Sequence, residues 1–137
     1  MESKLTGGCH CGAIRYRCST PVHLPVYCHC RSCRRTTGAH ATAWFSVPVT
    51  ELQFGAMRPS AYHSSPGVTR THCALCGTTL TYWSASSPDS IDVTVASLDA
   101  PALAAPGKHI WMDDAVAGDS PNDGLPRFPE SSGNGGS

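Results

Sequence analysis

The hydrophobic pattern along the chain is short-ranged. Ile14, Tyr16 and Cys18 alternate with Arg15 and Arg17, the period of two expected of a strand with one buried face. Residues 41–47 carry Trp44, Phe45 and Val47, strand-type content closed off by Pro48. Tyr62-His63 runs into the turn signal Ser64-Ser65-Pro66-Gly67, after which a strand is expected over Val68–His72. Leu80 and Tyr82 mark another strand, and Ile91, Val93 and Val95 against Asp92, Thr94 and Ala96 mark the clearest one. Helical periodicity is confined to a turn or two at Arg31–Thr37, where Gly38 suits a helix C-terminus. Residues 100–107, with two prolines and several alanines, read as a loop.

Short strands joined by Gly/Pro turns predict an all-β domain with very little helix. At 137 residues the chain has room for one such domain, expected over residues 1–128. Residues 131–137 hold no apolar side chain, and residues 129–137 are expected to form a disordered tail.

Charge removes several function classes. Ten Lys and Arg against ten Asp and Glu give a formal net charge of zero, which argues against nucleic acid and anionic membrane as partners. No stretch approaches the roughly 20 apolar residues of a membrane span, and no apolar signal core follows Met1. A soluble, cytoplasmic protein is expected, with its thiols kept reduced.

That expectation changes the meaning of eight cysteines. Seven fall into three groups: Cys9-His10-Cys11, Cys28-His29-Cys30-Arg31-Ser32-Cys33 and Cys73-Ala74-Leu75-Cys76-Gly77. Thiolates this close in tight turns converge on a metal ion, whereas neighbours in a Cys-x-Cys turn are poorly placed to bridge each other. Cys18, in phase with Ile14 and Tyr16, reads as a small buried hydrophobe. Seven sulfurs divide into four, which close a tetrahedral structural zinc site, and three, which leave one position for water or substrate. Spacing alone leaves the grouping open. The triplet Cys28, Cys30 and Cys33 can form a three-ligand face within one segment, and the competing arrangement has His29 or His10 closing it as a second structural site.

These blocks, together with Gly7-Gly8-Cys9-His10-Cys11-Gly12-Ala13-Ile14, Arg34-Arg35-Thr36-Thr37-Gly38-Ala39, Ser97-Leu98-Asp99, His109-Ile110-Trp111 and Asp123-Gly124-Leu125-Pro126-Arg127-Phe128, resemble the glutathione-dependent formaldehyde-activating enzyme family, which includes centromere protein V-like members. The resemblance implies the Mss4-like, zinc-stapled β-sheet fold and two zinc ions per chain. It assigns Cys9, Cys11, Cys73 and Cys76 to a structural zinc, and Cys28, Cys30 and Cys33 to a catalytic one. It also implies a carbon–sulfur lyase, S-(hydroxymethyl)glutathione synthase-like, acting on adducts of formaldehyde with glutathione or a related thiol. Residues 113–120 lack the aromatic residue that the family pattern leads one to expect there, a departure on one wall of the site.

Around the triplet, His29, with His40 and His63 on flanking segments, are candidates for acid–base work, because histidine titrates near neutrality. Arg31, Arg34 and Arg35 are candidates for substrate carboxylates, and Ser64 and Ser65 for the pocket lining. The competing function is a non-catalytic, zinc-stabilised protein-interaction module. An enzyme has a small-molecule thiol and aldehyde as partners; the sequence is silent on oligomeric state.

Overall fold

The computed structural model describes residues 5–119 and 121–132. Among these the strands are β1 (Leu5–Gly8), β2 (Arg15–Cys18), β3 (Val26–Cys28), β4 (Thr42–Pro48), β5 (Gln53–Phe54), β6 (Ser60–Ser65), β7 (Val68–His72), β8 (Thr79–Ser84), β9 (Ser90–Thr94) and β10 (Lys108–Ile110), with one α-helix, α1 (Arg31–Thr37). A small antiparallel sheet runs β1-β2-β5, and a larger one runs β10-β3-β4-β9-β8-β7-β6, in which β10 and β3 are parallel. The all-β expectation therefore holds.

Alternation puts Ile14, Tyr16 and Cys18 into the core while Arg15 and Arg17 face water. Cys18 is fully buried in the core and belongs to neither cysteine cluster, as its phase implied. The loop read over residues 100–107 contains a short 3-10 turn, Pro101–Ala104, with proline at its first position, where no backbone N–H is missed. β1 escaped the sequence reading because Leu5-Thr6-Gly7-Gly8 is half glycine. Its glycines are needed for close approach: a Cβ on Gly7 would collide with the Tyr16 hydroxyl and the Ser97 carbonyl.

β4 is the central partition. Being covered on both faces, it is buried at nearly every position. Phe45 and Val47 join Ile14, Leu80, Val93, Cys9 and Cys73 in one core, whereas Trp44 joins Val26, Cys28, Cys33 and Ile110 in another. Two of the four outer cysteines and two of the triplet thus sit on opposite faces of one strand. Antiparallel register aligns Ser46, Asp92, Tyr82 and Arg70 across β4, β9, β8 and β7 on the Trp44 face. This polar row runs toward the triplet.

The C-terminal segment closes the far edge. Backbone bonds from His109 N–H to the Pro126 carbonyl (2.8 Å), from Phe128 N–H to His109 (2.9 Å) and from Trp111 N–H to Glu130 (3.1 Å) lay residues 126–130 beside β10. The first part of the expected tail is therefore hydrogen-bonded, and residues 133–137 lie outside the described residues.

Gly7→Ala is expected to destabilise the fold by about 1–3 kcal/mol through overpacking against Tyr16 and Ser97, as measured by urea unfolding. Gly12→Ala, where a Cβ has open space around it but φ is +83°, should cost about 1 kcal/mol through backbone strain alone.

Candidate functional site

The outer cysteines come from two knuckles of matching construction. In each, a cysteine N–H bonds to a carbonyl five residues on, Cys9 to Ile14 and Cys73 to Thr78, both at 3.0 Å. Glycines in the left-handed region, Gly12 and Gly77, complete the turns at φ +83° and +82°. Backbone amides then aim at sulfur: Ile14 N–H at Cys9 Sγ (3.2 Å), and Leu75 and Cys76 N–H at Cys73 Sγ (3.4 and 3.5 Å). The four sulfurs of Cys9, Cys11, Cys73 and Cys76 all lie within 4.8 Å of one another, so the two outer pairs do meet.

The second cluster is local. Cys28 ends β3, Cys30 caps α1 by accepting from the Cys33 N–H (3.2 Å), and Cys33 is the buried residue of the helix. Gly38, at φ +71°, ends the helix as the sequence implied. These three sulfurs also lie within 4.8 Å of one another, and among the described residues no histidine or carboxylate joins them.

All eight cysteines are free. Crowding makes the triplet a poor set of thiols and a good set of ligands. Hydrogen bonds from Cys28 and Cys33 pull the Cys30 thiol down to about 2, while the bond to Cys30 pushes Cys28 far above the ordinary range. One sulfur takes the charge and its neighbour is denied it, unless a cation lies among them. In the four-cysteine cluster, the Thr78 hydroxyl and N–H draw Cys76 down to about 5. Soft thiolate sets of four and three suit a tetrahedral divalent metal such as zinc. The donor chemistry of both clusters fits that ion.

Beside the triplet lies a cavity of about 290 Å³, lined by Cys28, Cys30, Cys33, Arg31, Ser65 and Arg70, with Val68, Tyr82, Trp111 and Asp114. A larger groove of about 710 Å³ runs past Cys9 and Cys76. It borders a ligand set already complete in four sulfurs, so the smaller cavity is where chemistry has room.

Arg70 is a charged cavity residue that the sequence reading missed. It is 2% exposed; Nε donates to Ser64 Oγ (3.0 Å), the guanidinium lies 4.8 Å over the Tyr82 ring, and Nη2 is 3.9 Å from Cys33 Sγ. A buried cation beside three sulfurs would answer the surplus negative charge of three thiolates if they held a divalent ion. It sits in a strand whose pattern, Val-Thr-Arg-Thr-His, gives no hint of this; only the register with Tyr82 and Ser46 brings it there.

Of the other candidates, Arg31 and Ser65 line the cavity, and Ser64 acts one step back, by holding Arg70. Arg34 and Arg35, at the other end of α1, do not line it. His40 pairs with Asp119 (3.3 Å) and His63 with Thr69 (3.2 Å); both are exposed and outside the cavity. His29 is buried with its ring turned to His109, and it too is absent from the lining. Burial, reinforced by His109, pushes the His29 imidazole toward the neutral form. The wall over residues 113–120 is supplied by Asp114, whose carboxylate accepts from the Arg31 N–H (3.4 Å), next to Trp111 in the left-handed region at φ 58°. A tryptophan held there costs about 1–3 kcal/mol, the kind of strain that collects at working sites.

Comparison with known proteins gives three findings. The model of the family described as glutathione-dependent formaldehyde-activating enzyme matches residues 4–114. A Halomonas elongata protein named "Putative glutathione-dependent formaldehyde-activating enzyme" is 31% identical over 104 residues, 69% of this chain and 66% of the relative, so slightly less than two thirds of that relative's length is spanned. A crystal structure of a Rhodobacter sphaeroides protein superimposes with a TM-score of 0.59 at 22% identity, covering 90% of this chain and 98% of that one, which supports the fold.

Metal analysis of the purified protein is expected to give two zinc ions per chain, and acidification should release them as protons displace metal from sulfur. Cys30→Ser should keep a cooperative unfolding transition with one zinc ion left, whereas Cys76→Ser should abolish the folded state.

Proposed function

The chain belongs to the glutathione-dependent formaldehyde-activating enzyme family, and from that premise we propose that it is a zinc-dependent carbon–sulfur lyase that makes and breaks S-hydroxymethyl thiol adducts. The observation that carries this reading is the pairing of a three-sulfur set, with no fourth side-chain donor among the described residues, with a cavity that opens on it. An interaction module would have no use for a vacancy of that kind. The reading carries with it a reducing compartment such as the cytoplasm, where thiolate ligands are not lost to disulfides.

In the synthetic direction the thiol sulfur attacks the aldehyde carbon. The S–C bond forms, the C=O π bond opens onto oxygen, and the proton leaves sulfur and ends on that oxygen; the lyase direction is the reverse. Cys28, Cys30 and Cys33 would hold the zinc ion, which when bound would supply Lewis acidity and stabilise sulfur as thiolate. The remaining work falls to the chain. Val68, Tyr82 and Trp111 give the cavity apolar and aromatic walls that exclude water from the reacting carbon. Arg70, fixed by Ser64 and Tyr82 before substrate arrives, supplies a preorganised positive charge next to Cys33 that would stabilise negative charge building on oxygen. Arg31, free of any ion pair among the described residues, is placed at the cavity to receive a substrate carboxylate, and Ser65 offers a hydroxyl nearby. His29 makes no contact with this cavity, and proton exchange with the adduct oxygen is left to water at the open mouth.

Exchange between ¹³C-formaldehyde and its glutathione adduct, followed by NMR, tests the reaction. The zinc-loaded protein should accelerate exchange well above the spontaneous rate and Cys30→Ser should not; no acceleration by fully loaded protein would remove the enzymatic reading. Arg70→Gln is expected to lower kcat/KM by about 10²-fold, the order seen for loss of one preorganised donor. Arg31→Ala should raise KM several-fold for a carboxylate-bearing thiol with little change in kcat, while Arg35→Ala should change neither.

A further inference from the structure

We propose that Asp123 and His109 are positioning residues for the cysteine triplet: acting through His29, they lock the segment from Cys28 to Cys30 and set how long the site retains its metal ion. The inference rests on the reading of the triplet as a metal site. It concerns a chain of side chains that lies outside the cavity and that the reaction itself does not use.

The chain is continuous. Asp123 Oδ2 lies 2.7 Å from His109 Nε2, and His109 Nδ1 lies 2.9 Å from His29 Nε2. Asp123 is partly exposed, with a side chain 38% accessible, whereas His109 and His29 are 3% and 1% exposed. An ionised carboxylate only accepts, so His109 carries its hydrogen on Nε2 and offers a lone pair at Nδ1. His29 must then donate through Nε2, which fixes its tautomer and the rotation of its ring. The bond from His109 holds the Asp123 carboxyl below the usual carboxylate range, consistent with the ionised acceptor. Tyr27 stacks on His109 at 4.9 Å between ring centroids, and the Leu125 N–H ties the other carboxylate oxygen at 3.0 Å. The carboxylate end and the middle ring are thus both held, and the His29 ring, whose buried Nδ1 has no hydrogen-bond partner among the described residues, takes its orientation from the bond at Nε2.

This matters to the triplet because His29 stands between two of its ligands. The His29 N–H bonds to the Ile110 carbonyl (3.0 Å), and Ile110 is in register with Cys28. Backbone and side chain therefore hold the same three residues to β10 from two directions. β10 is itself held by residues 126–128. Burying two imidazoles has a desolvation cost that an apolar pair would avoid. What the polar chain gives in exchange is direction: a hydrogen-bonded ring has one orientation where a packed one has several. Outer groups that orient metal ligands in this way typically change metal affinity by about 10- to 100-fold when removed. The four-cysteine cluster shares none of these contacts and serves as an internal control.

The test uses the full chain loaded with zinc for chelator-driven release, and with ¹¹³Cd for NMR, which distinguishes a four-sulfur from a three-sulfur site. Cys30→Ser identifies the triplet's phase and resonance. In Asp123→Ala and His109→Ala the triplet's metal is expected to leave about ten times faster and its ¹¹³Cd resonance to shift or broaden, with the four-cysteine phase and resonance unchanged. Asp123→Asn, whose amide oxygen still accepts from His109, should stay close to the parent. Release from the triplet at the parental rate in both alanine variants would overturn the inference, as would equal acceleration at both sites, which marks general loosening. A parent that takes up one metal ion would overturn the reading of the triplet and the inference with it; two ions with unchanged release would overturn the inference alone.

Discussion

Sulfurs held within 4.8 Å of one another compete for charge, and the competition ends only when a cation joins them. In the triplet the conflict is visible as opposite displacements of neighbouring thiols, Cys30 far down and Cys28 far up. The fold spends much of its construction on holding these groups together. Knuckle amides point at Cys9 and Cys73, α1 is capped by one ligand and buries another, and β4 keeps the two clusters on opposite faces. A metal ion held by the four-sulfur set would tie residues 9–11 to residues 73–76 and add its binding free energy to folding. The three-sulfur set, whose ligands lie within six residues of one another, does not staple distant parts of the chain.

That contrast separates structure from chemistry in this molecule. The four-cysteine cluster joins residues 9–11 to residues 73–76 across the core, while the triplet joins a strand end to the helix that follows it. Around the triplet the protein arranges what a staple would not require: a buried arginine beside Cys33, a cavity with aromatic walls, and a tryptophan held in a strained conformation. Each carries a cost in stability. The reaction proposed for the family's chemistry uses all three.

Much of this was legible in the chain because ligand spacing is local. Cys-x-Cys and Cys-x-x-Cys turns, the glycine after Cys76, and the short helix between Cys30 and Gly38 are written within a few residues, and the structure forms each of them. The clean alternation of Ile14 to Cys18 was equally readable, and Val68–His72 was readable from the turn signal that precedes it. What was not readable depends on register. Arg70 reaches Cys33 because β7 pairs with β8 so that Arg70 stands opposite Tyr82, and nothing local encodes that pairing. The same blindness made Arg34 and Arg35 look equivalent to Arg31: adjacency in sequence suggested a basic rim, but helical rotation and distance along α1 leave only Arg31 at the cavity. His29 drew attention for its place between two ligands, yet its ring turns away toward β10, a direction set by a residue 80 positions later.

The central claim is that one zinc ion is saturated by the chain and the other is not. Zinc K-edge X-ray absorption with and without added thiol measures this directly. The account predicts an average of about 3.5 sulfur neighbours per zinc in the protein alone, rising to about 4 when a thiol occupies the vacant position. An average that does not respond to thiol, with a nitrogen or oxygen donor from the chain completing the second ion, would contradict it.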